Sequence, residues 1–159
     1  MYTQFQKISL FLLRIAMGSL FFYAGITKVM NPAWSAGGYI RGAKNFVDFY
    51  NWLLQPNILP IINFLNAWGL TLLGIALVLG LFVRLGSVGG IFLMAMYYLV
   101  ILDFPYPNAH AYIVDEHIMY IMALLILTAF SAGRVWGLET WCSNLPICSR
   151  FPVLRKLLG

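Results

Sequence analysis

The stretch LFLLRIAMGSLFFYAGITKV, residues 10–29, is almost entirely apolar, yet it contains two cations, Arg14 and Lys28. Its length matches the ~20 helical residues that the hydrocarbon core of a bilayer requires. A helix places side chains three or four positions apart on one face. This spacing puts the two cations on one stripe together with Gly18, Phe22 and Gly25. Because glycines allow helices to approach closely in lipid, the stripe is predicted to face other helices.

The composition of the whole chain indicates a membrane protein. Of its 159 residues, 62% are hydrophobic and 9% are charged, whereas about a quarter of the residues of a soluble domain are charged. A soluble domain of this size buries only about 60–70% of the surface that its unfolded chain exposes. We therefore predict one integral membrane domain over residues 1–159. The ten Lys and Arg residues are scattered singly, so no basic surface for nucleic acid is predicted.

Four apolar stretches are long enough to be membrane spans, at about residues 8–30, 58–82, 85–103 and 112–131. They predict an all-α fold, a four-helix transmembrane bundle, with a cytoplasmic tail over residues 132–159. Lys and Arg are enriched in the cytoplasmic flanks of membrane spans. Six flanking cations lie in the N-terminus, the turn between the second and third spans, and the tail, whereas two lie in the first loop. Both termini are therefore predicted to be cytoplasmic.

The long outer first loop, residues 31–57, has a helical pattern of its own. Four apolar residues recur at the spacing of one helical face, namely Phe46, Phe49, Tyr50 and Leu53. This pattern predicts a short amphipathic helix. Two interpretations of this helix are open. It lies as an anchor in the membrane interface on the outer side, or it folds back over the bundle as a re-entrant lid.

The loop over residues 102–120 concentrates the polar residues of the chain. It contains three of the five acids and both histidines, which are Asp103, Asp115, Glu116, His110 and His117. The predicted topology places this loop on the same side as Lys28, Arg41 and Lys44. Opposite charges on one side indicate either salt bridges between the loops, or a pocket. In such a pocket the cations hold an anion while a histidine or an acid moves protons.

For the pocket hypothesis, the candidate catalytic residues are His117, Glu116 and Asp115. The candidate substrate-binding residues are Lys28, Arg41, Lys44, Arg14 and Tyr120. Tyr120 is included because it shares a helical face with His117. Besides substrate binding, Arg14 has three possible structural roles. Its long side chain extends to the cytoplasmic interface, or it pairs with Glu139, or it caps a loop carbonyl.

The sequence offers little support for metal or haem chemistry. The histidines and neighbouring acids form no compact HxxxH or ExxH pattern, which bundle metal sites typically show. No metal site and no haem, flavin or iron–sulfur motif is predicted. Cys142 and Cys148 are separated by five residues and do not form a CxxC motif. Two reduced thiols are the favoured interpretation, and a redox pair is the alternative.

Three segments of the chain together resemble a known family. They are the first apolar helix LRIAMGSLFFYAGITKV (13–29), the second-to-third helix junction GIALVLGLFVRLGSVGG (74–90), and the ending SAGRVWGLETW (131–141). In this order and spacing they are similar to the DoxX and DoxD-like membrane proteins. The resemblance implies a four-helix bundle in the cell membrane of a bacterium or archaeon. Many relatives carry an acidic residue in the second helix, where this chain has Leu70 and Thr71.

The best-described members of that family are subunits of thiosulfate:quinone oxidoreductase, which passes two electrons from thiosulfate to a membrane quinone. The resemblance therefore implies a membrane subunit of a quinone-linked oxidoreductase that oxidises thiosulfate or another small sulfur anion at an outward-facing site. Quinone is then the cofactor, and the implied partners are the lipid bilayer, a second oxidoreductase subunit and further copies of the chain. The alternative is a non-catalytic membrane scaffold or assembly factor for a redox complex.

Overall fold

The computed structural model describes residues 2–143, and all regular structure in this range is helical. This confirms the all-α prediction for the described residues, where the only β-pairing consists of isolated bridges in the loop before the last long helix. The α-helices are α1 (Gln4–Val29), α2 (Gly37–Ile40), α3 (Val47–Leu53), α4 (Leu59–Leu79), α5 (Val83–Ile101), α6 (Glu116–Ala129) and α7 (Glu139–Ser143), and a short 3-10 helix, Ala132–Arg134, lies between α6 and α7. The rest of the predicted tail, including Cys148, lies outside the described residues.

Three helices, α1, α4 and α5, are long and apolar enough to cross a membrane. Helix α6 is apolar but has 14 residues, which is about 21 Å of helix against a hydrocarbon core of about 30 Å. The helix is therefore shorter than the fourth predicted span, residues 112–131. It begins where it does because the Asp115 side chain caps its first turn. It ends before Ser131, whose φ of 45° is incompatible with helix continuation.

The first loop contains two short helices, α2 and α3. The predicted helix corresponds to α3, but its apolar residues do not form one buried face. Tyr50 is buried, whereas Phe46 and Phe49 are 66% and 45% exposed. The Tyr50 hydroxyl donates a hydrogen bond to the Met96 carbonyl of α5 at 2.9 Å. This contact holds the loop against α5.

Helices α1 and α4 cross at close range through glycines. A Cβ atom added at Gly25 would overlap the backbone nitrogen of Thr71, and one added at Gly74 would overlap the backbone of Phe22. The two glycines of the α1 stripe are buried, so that part of the stripe faces another helix as predicted. Phe22 departs from the pattern, because 38% of it remains exposed.

A buried apolar cluster draws on α1, α4, α5, α6 and the segment directly after α6. Its members are Met17, Phe21, Leu70, Leu73, Leu77, Val83, Met94, Leu124, Leu127 and Ala132. A smaller cluster joins the first loop to α5 through Ala36, Ile40, Tyr50 and Val100. Between α4 and α5 the packing leaves an open cavity, and the polar residues of interest gather at one end of it.

Candidate functional site

A cavity of about 1220 Å³ lies between α4 and α5, and the first loop covers one end of it. Its polar lining is confined to that covered end and includes Lys28, Asn66, Tyr97, Asp115, Glu116 and His117. The opposite end, at the turn between α4 and α5, is lined by Leu79, Leu81, Phe82 and Leu85. Several side chains along the cavity are also well exposed, among them Leu65, Leu72 and Phe92. The cavity is therefore a groove that opens on the apolar outer surface of the protein.

Asp115 and His117 form a closely coupled pair at the start of α6. Asp115 Oδ1 accepts the backbone N–H of His117 at 3.0 Å and that of Ile118 at 3.2 Å, which caps the helix. Asp115 Oδ2 lies 2.6 Å from His117 Nδ1, and the Asp115 side chain is fully buried. A carboxylate oxygen accepts, so Nδ1 is the protonated ring nitrogen. This leaves His117 Nε2 as the unprotonated ring nitrogen of the neutral imidazole.

Lys28 stands at the same end of the cavity near the last turn of α1. Its Nζ donates to the Ala24 carbonyl at 2.7 Å and lies 5.4 Å from the centre of the Trp34 ring, a cation–π contact. Among residues 2–143, no carboxylate lies within salt-bridge distance of this ammonium. Because an ammonium has three donors, Lys28 retains hydrogen-bonding capacity for an acceptor in the cavity.

Asn66, Tyr97 and Tyr39 are site residues that sequence reasoning missed. Asn66 is 4% exposed, it lies beside Tyr97, and its Oδ1 has no hydrogen-bond partner within the described chain. The Tyr39 hydroxyl donates to the Tyr97 carbonyl at 3.0 Å. Burial raises the pKa of Tyr39, and the neighbouring Asp115 adds to this shift, so the hydroxyl stays protonated. The available signal was Asn66 itself, a polar residue inside an apolar helix.

The other predicted site residues on the same side as Lys28 do not all line the cavity. Glu116 lines the cavity and is exposed. Tyr120 lies behind His117, with ring centroids 6.5 Å apart, and packs edge-on against Phe21. Lys44 forms an exposed salt bridge with Asp103 at 2.6 Å. That contact is a salt bridge between the two loops, the first of the two alternatives that the charge pattern left open.

Arg41 lies at the end of α2, exposed, and neither it nor Lys44 is among the residues that line the cavity. The structure thus brings Lys28 together with Asp115, Glu116 and His117, and leaves the two loop cations outside that group. Within residues 2–143, no three His, Cys, Asp or Glu side chains are close enough to hold a metal ion.

Arg14 lies at the far end of α6 from His117. Its Nη1 donates to the carbonyls of Ala132 and Val135 at 2.7 and 3.1 Å, and its Nη2 donates to Trp136 at 3.2 Å. The guanidinium is 1% exposed, so it binds the segment after α6 and does not extend to the interface. Of the three structural alternatives for Arg14, the geometry matches the cap on loop carbonyls.

Glu139 belongs to the same buried region as Arg14. Its Oε1 accepts the backbone N–H of Val83 at 2.9 Å, and no ion pair with Arg14 is formed within the described residues. Burial raises the pKa of the Glu139 carboxyl, opposed by the Val83 hydrogen bond and by nearby arginines. A carboxylate and a guanidinium therefore hold the α4–α5 turn and the segment after α6 together through backbone groups.

The apolar helices define a class of protein, the all-α integral membrane proteins, and here a lateral groove has its polar end beneath the first loop. The chain belongs to the DoxX family, whose model matches residues 9–103. That match includes Lys28, Asn66 and Tyr97, whereas Asp115 and His117 lie beyond its end. Neither a curated protein nor a solved structure matches the chain significantly.

Proposed function

We propose that this protein is the membrane subunit of a quinone-linked oxidoreductase, with the quinone head group bound at the polar end of the α4–α5 cavity. One observation carries the proposal. A lysine with free donor capacity and an Asp115–His117 pair line the same end of one cavity, and its other walls are apolar. A quinone head group requires a donor to its carbonyl oxygen and a proton carrier, and these are the two functions that Lys28 and His117 supply.

Two thiosulfate anions, or two equivalents of another small sulfur anion, form a new sulfur–sulfur bond and release two electrons. The quinone takes up these two electrons and two protons and becomes a quinol. His117 Nε2 delivers the protons in turn, and Asp115 stabilises the imidazolium that forms between deliveries. Glu116, which is exposed at the cavity mouth, returns protons from water.

A second subunit completes this arrangement. The electrons need a relay from the sulfur anion to the quinone, and we assign that relay to a partner oxidoreductase subunit at the outer surface. Arg41 is an exposed cation at that surface, and we assign it to attracting the anion. Further copies of the chain belong to the same complex.

For the membrane arrangement, we propose a four-helix bundle in which α1, α4, α5 and α6 all cross the bilayer of a bacterial or archaeal cell. Both termini are cytoplasmic, so the polar end of the cavity and the first loop face outward. In this orientation, α2 and α3 cover the quinone head group, which is supported by Tyr39, Tyr50 and Leu53 in the cavity lining.

The competing function is a non-catalytic scaffold or assembly factor for a redox complex. It is supported by the purely structural role of Arg14 and by the Lys44–Asp103 salt bridge between loops. Under this hypothesis Lys28 serves only the Ala24 carbonyl and the Trp34 ring, and the cavity contains ordinary membrane lipid.

The two functions differ in what the purified protein carries. We would extract the lipids bound to the wild type, to Lys28→Met and to the matched control Lys44→Met, and measure quinone by mass spectrometry. The proposal expects quinone in the wild type and in Lys44→Met, and a loss of at least about tenfold in Lys28→Met. Phospholipid alone in all three folded proteins would favour the scaffold.

A further inference from the structure

The cavity extends far beyond what a quinone head group needs. Leu79 at the α4–α5 turn lies 13 positions after Asn66 at the polar end, which is about 20 Å of helix. The walls over this length are apolar side chains and glycines from α4 and α5. A Cβ atom added at Gly69 or Gly89 would meet nothing within 4 Å, so open space lies directly over both backbones.

The polar end has a definite charge balance. One cation, Lys28, lines it together with two carboxylates, Asp115 and Glu116. This balance disfavours a phosphate head group, because two acids against one cation repel an anion. The buried Asn66 Oδ1 has no partner within residues 2–143, and a buried acceptor of this kind is costly unless a donor reaches it. The head group that fits is therefore neutral and carries a hydroxyl.

We propose that the α4–α5 groove binds the single apolar chain of a neutral amphiphile lengthwise, with the head-group hydroxyl donating to Asn66 Oδ1. This inference rests on the proposed function, for which the amphiphile is a long-chain prenylated quinol. It gives the groove and Asn66 each a role in choosing the ligand. The groove selects for a long chain, and Asn66 favours the hydroxyl-bearing reduced form over the carbonyl-bearing oxidised form.

The glycines of the groove provide a clean test. Gly89→Phe places a ring in the open space of the groove without a backbone clash, and Gly69→Phe does the same from the α4 wall. Gly38→Phe is the matched control, because a Cβ atom there also meets nothing within 4 Å and Gly38 does not line the cavity. Thermal unfolding of each variant establishes that it is folded before binding is measured.

Binding would be titrated anaerobically in lipid nanodiscs with two ligands, a dimethoxybenzoquinol with a long prenyl tail and the same head group without a tail. In the wild type the long-chain quinol is expected to bind at least about tenfold more tightly. In Gly89→Phe and Gly69→Phe that advantage disappears, while affinity for the tail-less quinol is unchanged and Gly38→Phe behaves as the wild type. Asn66→Leu is expected to weaken the quinol more than the corresponding quinone.

The failure of this inference is distinguishable from failure of the proposed function. If both groove variants retain full affinity for the long-chain quinol while Lys28→Met abolishes binding of both ligands, the chain does not lie in the groove and the quinone site stands. If neither ligand binds the wild type, the proposed function fails and this inference fails with it. A fatty acyl lipid retained by the wild type in place of either ligand, and lost from Gly89→Phe, would also overturn the assignment to a prenylated quinol.

Discussion

Asp115 Oδ2 lies 2.6 Å from His117 Nδ1, while Oδ1 of the same carboxylate accepts the His117 backbone N–H at 3.0 Å. One side chain therefore begins α6 and also orients the imidazole at the cavity. The two tasks use different oxygens, so they are separable by substitution. This matters for function because a histidine held by a carboxylate has a fixed tautomer and a fixed ring orientation.

Asp115→Asn should separate helix capping from proton transfer. Asparagine caps a helix about as well as aspartate, so the thermal stability of the variant should change little. It has no negative charge to stabilise the imidazolium, so quinone reduction by the complex should fall by about 100-fold. Asp115→Ala should lose the same activity and also about 1 kcal/mol of stability. An Asn variant with full turnover would remove the Asp115–His117 pair from the mechanism.

Arg14→Lys should destabilise the fold and leave the outer site intact. The guanidinium donates to three carbonyls of the segment after α6, and a lysine ammonium does not reproduce that planar geometry. Because hydrogen bonds from a charged group contribute about 1.5–3 kcal/mol each, the loss should be about 3 kcal/mol. Unfolding in detergent measures this loss. The amides of Leu138 and Glu139 donate to carbonyls at the end of α4, so their hydrogen exchange should become faster.

The matched control for this experiment is Arg41→Lys, since Arg41 is exposed and the same replacement there should leave stability unchanged. Ligand affinity is the second readout. If Arg14→Lys kept its stability but lost affinity for the quinone, Arg14 would belong to the binding site and the structural assignment would be wrong.

Some parts of this fold follow directly from the sequence. The stripe that contains Arg14 and Gly25 was predictable because helical periodicity fixes which residues share a face. The start of α6 was harder, since apolar composition continues through Tyr112 to Val114 and only the Asp115 cap ends the loop. Periodicity reports which residues are apolar, whereas a cap depends on local hydrogen bonds.

The candidate site was harder to predict from the sequence than the helices were. Counting charges predicts the side of the membrane on which Lys28 and Lys44 lie, but it does not predict which of them reaches a cavity. Asn66 and Tyr97 are 31 positions apart and come together only because α4 and α5 pack side by side. Such pairs depend on tertiary packing, so no local pattern identifies them.

Gly25→Ala should destabilise the protein through the α1–α4 crossing. The added methyl group would overlap the Thr71 backbone nitrogen, and two backbones move apart less readily than a flexible side chain. Overpacking of this kind costs about 1–3 kcal/mol. Gly89→Ala is the control, because its Cβ atom meets nothing within 4 Å. Equal unfolding transitions for both variants in detergent would show that the helices do not cross as closely as the structure places them.

Glu139→Gln should change how stability depends on pH. Burial raises the pKa of Glu139 above its ordinary value of 4.5. A carboxyl whose pKa is higher in the folded state stabilises the fold fully below its unfolded pKa, and this contribution is lost as the pH rises through the folded pKa. Glutamine keeps an acceptor for the Val83 N–H and carries no charge. The variant should therefore gain stability relative to the wild type as the pH rises above about 4.5.

The measurement is the difference in unfolding free energy between Glu139→Gln and the wild type, taken in detergent from about pH 4.5 to about pH 8. It should grow with pH and level off once the wild-type carboxyl is ionised. Glu139→Ala is the matched control, because it removes the same ionisable group and also the acceptor for the Val83 N–H, so its difference should rise with pH in the same way from a lower starting stability. A difference that does not change with pH would mean that partners in the folded protein stabilise the charged carboxylate of Glu139 enough to offset its burial. The Arg14 region would then be held by an ion pair as well as by backbone carbonyls.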